Sequence, residues 1–129
     1  MTIVEQLARF LADRLGLPFE GDGEGAVFFG YLPDRPVKAV CVYARDLRAG
    51  DDGEGTRVQI ALRSDADGAW PLELAARIMA LLDGRRDMIC CADGDYIHRV
   101  EAARGFEFSG MEDNATQFYT ADFRVYWCG

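Results

Sequence analysis

The sequence predicts an α+β domain: a mainly antiparallel β-sheet packed by two α-helices. Two observations lead there. Several runs carry strand-like apolar patterning and are joined by turns rather than by helices. Two other segments carry helical spacing with start and stop signals, so the order along the chain is helix, strands, helix, strands. With 129 residues the expectation is one domain over residues 1–129.

The first helix has clear ends. Thr2 and Glu5 have capping-box spacing, in which each side chain serves the other residue's backbone N–H. Val4, Leu7, Leu11 and Leu15 recur on one face, Gly16 suits a left-handed C-cap, and Pro18 forbids continuation. Residues 20–25 form an acidic, glycine-rich turn, and Ala26 to Leu32 is the first strand. Pro33-Asp34-Arg35-Pro36 is a turn, because two prolines bar helix and central strand alike. Val37 to Ala44 is apolar on both faces, as in a strand covered on both sides.

Residues 45–55 form an extended acidic loop holding Asp51, Asp52 and Glu54. Arg57 to Ser64 then alternates, with Val58, Ile60 and Leu62 facing a core and Arg57, Gln59 and Arg63 facing outward. Pro71 fits the start of the second helix and Asp83-Gly84 its stop. That helix is apolar over most of its circumference, with Glu73 and Arg77 as its polar stripe. Such a helix is buried on more than one side, one being its own sheet and the other a neighbouring subunit. Met88 to Cys91, Tyr96 to Val100, Arg104 to Met111 and Thr116 to Trp127 complete the strands, with a turn at Glu112-Asp113-Asn114.

Composition narrows the function. Net charge is −8, which argues against specific nucleic-acid binding, a role that needs clustered Lys and Arg, and against an anionic membrane surface. No run of about 18 apolar residues is present, so no membrane span is expected. The N-terminus lacks the basic region of a secretory leader. Cys41, Cys90, Cys91 and Cys128 show no Cys-x-x-Cys spacing, and His98 is the single histidine, so neither a zinc site nor any other cofactor is expected. Adjacent Cys90 and Cys91 would close a strained disulfide, and reduced buried thiols are the simpler reading. The acidic loops lie in the wrong context for an EF-hand, and the phosphate and dinucleotide glycine motifs are missing. Nothing in the sequence reads as an active site, so catalytic residues are not assigned.

Three stretches carry a resemblance. They are residues 32–43, with the prolines leading into a strand; residues 56–64 followed by the apolar helix at 72–82; and residues 112–126, a turn running into a strand. Their order resembles the small bacteriophage proteins of the tail-terminator type, the phage minor capsid protein family among them. The resemblance implies a virion component, assembled in the host cytoplasm and placed at the head-proximal end of the tail. There a hexameric ring of identical copies ends tail-tube polymerisation and meets the head connector or stopper. Its partners would be itself, the tail tube protein and that connector.

A closed ring needs two complementary flanks. The candidate interface residues are Arg57, Gln59 and Arg63 against Asp51, Asp52 and Glu54 of a neighbour, with Glu73, Arg77, Asp113 and Asn114 beside them. Other readings stay open at this point: a head-side connector or adaptor, a small ligand-binding or enzyme domain with a pocket lined by Phe28, Phe29, Tyr31, Phe106 and Tyr119, or an acidic module that binds one basic partner.

Overall fold

A computed structural model describes residues 2–45, 55–65, 68–87, 89–90, 96–112 and 115–128. The elements run α1 (Ile3–Leu15), β1 (Ala26–Phe29), β2 (Ala39–Ala44), β3 (Thr56–Ser64), α2 (Ala69–Leu82), β4 (Ile89–Cys90), β5 (Tyr96–Glu112) and β6 (Thr116–Cys128). One six-stranded sheet has the order β1-β2-β3-β6-β5-β4. Both helices pack on it, and all but one of its pairings are antiparallel. The fold class is therefore α+β.

Helix α1 starts where Thr2 Oγ1 accepts from the Glu5 N–H at 3.2 Å. The return half of the expected box is missing, because Glu5 turns to Arg9 instead, one turn on, with Nε to Oε2 at 3.1 Å. Gly16 sits at φ 67, and the Leu17 N–H reaches back to the Ala12 carbonyl at 2.9 Å, ending the helix in a Schellman-type cap. Helix α2 starts at Ala69, two residues before the expected Pro71. Pro71 still lies in the first turn, where a missing N–H breaks no helical bond.

One face of the sheet is covered by the helices. Leu7 and Leu11 of α1, with Leu74, Ile78 and Leu82 of α2, close over Val40, Val42, Val58, Ile60, Leu62, Phe123 and Val125. The opposite face carries a smaller cluster of Ala26, Phe28, Ala39 and Cys41, packed by Leu32 and Tyr43. This explains why β2 is apolar on both faces.

Two expectations are corrected here. Strands β1 and β2 pair in parallel, Ala26 opposite Ala39. Parallel neighbours require the chain to return along the strand. Residues 30–38 make that return, so the two prolines belong to a crossover segment, and β2 begins at Ala39 rather than Val37. Second, Tyr96–Val100 and Arg104–Met111 are one strand. Strand β5 has 17 residues against the 13 of β6, and four register shifts take up the difference. Each bulge flips the alternation, which is why the run looks broken in sequence.

Candidate functional site

The face of β3, β6 and β5 opposite the helices is polar and charged. Arg57 stands opposite Arg124, Gln59 opposite Asp122, and Arg104 of β5 opposite Asp122 from the other side. Arg104 binds Asp122 at 2.9 Å and Glu107 at 2.7 Å, and donates to the Thr120 hydroxyl at 3.1 Å. Arg99 binds Glu101 at 2.7 Å, and the Tyr126 hydroxyl donates to the same carboxylate at 2.9 Å. The Tyr126 hydrogen bond holds the Glu101 carboxyl below its usual range, with Arg99 adding to the effect. The same bond raises the Tyr126 phenol. Asp122, bonded through Oδ2, keeps Arg104 protonated. The pairs are laid across a half-exposed sheet, so they fix side-chain positions more than they add stability.

Among the expected interface residues, Arg57 is exposed and Gln59 half-buried on this open face. Arg63 departs from the expectation. It is 8% exposed, and its guanidinium bonds three carbonyls of the crossover: Val37 at 3.0 Å, and Pro33 and Pro36 at 2.6 Å each. Alternation does place Arg63 on the face of Arg57, but the crossover covers that end of β3. A guanidinium suits this place because its fork of donors, here Nε and Nη2, matches a cluster of carbonyls. Arg63 is thus a brace for residues 33–37, and it is not available to a neighbour. Asp51, Asp52, Glu54, Asp113 and Asn114 lie outside the described residues.

Glu73 and Arg77 are both exposed on α2. Beside them runs a stripe that the sequence shows only as excess hydrophobicity. Pro71, Leu74, Ala75, Ile78 and Leu82 face the core. Ala69, Leu72, Ala76 and Ala80 face outward and are exposed, Leu72 by 62%. The spacing of three and four residues makes this one continuous apolar strip on the outside of the helix.

Two open clefts are formed by described residues, one between the helices and one beside the crossover. One, of about 320 Å³, is lined by Arg14, Leu15, Arg77, Ala80 and Leu81. The other, of about 530 Å³, is lined by Asp22, Glu24, Asp34, Arg35, Pro36 and Val37. The aromatics weighed as pocket walls do not converge on either. Phe28 lies in the small cluster, Phe29 stacks on Phe19 at 6.1 Å, Phe106 meets Phe123 at 6.4 Å, Tyr119 meets Phe108 at 5.6 Å, and Tyr31 is 70% exposed.

Cys41 is fully buried, and burial pushes its thiol up to about 11. It is therefore a poor nucleophile at neutral pH. His98 sits between the rings of Tyr96 and Tyr126 at 6.2 and 6.4 Å. Among the described residues no group of three His, Cys, Asp or Glu side chains is placed to hold a metal ion. Among the described residues no helix is long and apolar enough to cross a membrane. No known family model matches the chain, and no curated protein matches it either.

Proposed function

We propose that this chain is a virion structural protein, a tail terminator that closes into a six-membered ring. The ring ends polymerisation of the tail tube on one side and meets the head connector on the other. The observation that carries the reading is the outward strip of α2. A helix that buries Leu74, Ile78 and Leu82 against its own sheet still leaves Leu72, Ala76 and Ala80 in solvent. An exposed apolar strip on a structural element is the mark of a contact surface. Small residues there let a neighbour's backbone approach closely. The resemblance at residues 32–43, 56–64 with 72–82, and 112–126 supplies the kind of assembly.

The strip is edged along one side by Glu73 and Arg77, an apolar surface with charge at its margin, as in many protein–protein contacts. A chain of net charge −8 also suits a passage for DNA, since acidic walls do not retain a polyanion.

The test is to polymerise the tube protein of the same virion with and without this chain. Tubes formed in its presence should be shorter and carry a cap of density at one end. An unchanged length distribution with bare ends would refute the terminator reading.

A further inference from the structure

The acidic balance of the chain makes its unpaired cations conspicuous. Arg9, Arg99 and Arg104 each have a carboxylate partner. Arg14, Arg77 and Arg85 have none among the described residues, although acidic residues outnumber basic ones 22 to 14. These three gather between the two helices. Arg14 and Arg77 line the smaller cleft. Arg14 and Arg85 lie on the same ring, their Cζ atoms 5.0 and 4.7 Å from the centre of Phe10. Arg77 spends one Nη2 donor on the Leu15 carbonyl at 3.1 Å. The Nε of Arg85 is buried with no hydrogen-bond partner. Stacking on Phe10 and the bond to Leu15 hold the guanidiniums in place and leave most of their donors unused.

The second cleft has a net acidic character. Asp22, Glu24 and Asp34 line it beside a single cation, Arg35, and none of the three carboxylates has a partner among the described residues. Its floor includes Pro36 and Val37, and Val37 is 39% exposed. The first cleft likewise adjoins the apolar strip of α2 through Ala80. Each cleft thus joins apolar groups to charged ones, and the net charges are opposite: two arginines line the first, and three carboxylates against one arginine line the second. They occupy different parts of the molecule: one between α1 and α2, the other where residues 22–24 meet the crossover beside β1.

We infer that the arginine cleft between α1 and α2 receives the Asp22, Glu24 and Asp34 rim of a second copy of this chain. The contact joins two different surfaces, so it is heterologous, and repetition closes a ring or extends a filament. Guanidinium forks suit carboxylates in such a contact better than ammonium groups do. The inference rests on the ring reading and names its flanks.

Reciprocal charge reversal tests it. Arg14→Glu with Arg77→Glu reverses the cleft, and Asp22→Lys with Glu24→Lys and Asp34→Lys reverses the rim. Light scattering of each variant alone should show the assembly midpoint moved to at least about 100-fold higher concentration, the effect expected when close interfacial charge pairs are broken. Mixing the two variants in equal amounts should restore assembly at the wild-type midpoint. Every contact between unlike copies then pairs opposite charges, so rings of alternating variants form. A defect of folding would not be cured by mixing, and Arg14→Glu alone spares the Arg77 bond to Leu15 and should still weaken assembly. Variants that assemble like wild type, or a mixture that stays monomeric, would overturn the inference while leaving wild-type rings intact. Loss of binding to a labelled 20-base-pair duplex in Arg14→Glu/Arg77→Glu, with assembly unchanged, would overturn it in favour of a phosphate site. Wild-type chains that stay monomeric at every concentration would instead defeat the ring reading itself.

Discussion

Replacing Arg63 by Met isolates the brace that holds the crossover. Methionine keeps an apolar stem of similar reach but removes every donor. Three bonds are lost, to the carbonyls of Val37, Pro33 and Pro36. A hydrogen bond from a charged donor contributes about 1.5–3 kcal/mol net. Three give about 4–9 kcal/mol if the carbonyls stay buried, and rehydration of the two proline carbonyls returns part of it. The expected loss is about 4 kcal/mol. For a chain of this size that corresponds to a fall in Tm of about 15 °C. Arg63→Lys keeps the charge but not the fork, and should lose about half as much. Urea unfolding followed by circular dichroism measures the loss, and limited proteolysis should show new cleavage within residues 30–38. A loss under about 1 kcal/mol for Arg63→Met, or equal losses for Met and Lys, would refute the reasoning.

Other outcomes follow from the same structure. Leu72→Asp should abolish self-association and change the monomer's urea midpoint little, since Leu72 is 62% exposed; light scattering and unfolding together check this. The Cys41 thiol is raised from 9.0 to about 11, so its folded-state pKa lies above the unfolded one. Its contribution is complete below about pH 9 and is lost as pH rises towards 11, falling by about 1.4 kcal/mol per pH unit in that window. Cys41→Ala should flatten that part of the stability profile relative to wild type, and an identical profile would contradict the assignment. Tyr126→Phe removes the donor that lowers Glu101, so the Glu101 carboxyl should titrate at higher pH by NMR. In wild type the small stability tied to this lowered carboxyl is present above the unfolded pKa and fades as pH falls through the folded one. Gly25→Ala should destabilise by about 1–3 kcal/mol, because φ is +83 and an added Cβ would lie 3.1 Å from Leu17.

Local chemistry was legible wherever one residue type answers one need. Thr2 and Gly16 mark the ends of α1, and the alternation of Val58, Ile60 and Leu62 marks β3. The apolar excess of α2 pointed to a second buried side; in the single chain the outward strip at Leu72, Ala76 and Ala80 is exposed, and its burial belongs to the proposed contact. What escaped depended on contacts distant in sequence. Nothing local tells that Phe29 and Ala39 end and begin parallel neighbours, since a proline-bearing segment reads as a turn until its two ends are placed. Arg63 fell with Arg57 and Gln59 by alternation, and its true role depends on carbonyls 26 to 30 residues away. The bulged hairpin escaped because a shift of one residue erases the period on which strand reading depends. The arginine cleft escaped for the same reason as Arg63. Arg14 and Arg77 stand on different helices, and only the packing of α1 beside α2 brings them together. A signal was present in Arg14 and Arg85, which lack neighbours of opposite sign at helical spacing that would satisfy them, but sequence alone does not reveal the shared Phe10 ring.

We propose that this chain assembles with itself into a closed ring. Light scattering of the purified protein over a wide concentration range, followed by negative-stain imaging of the same samples, tests it most directly. A closed hexamer gives a species of six times the protomer mass that images as rings with a central hole. A mass of one chain at every concentration, with no rings in the images, would contradict it.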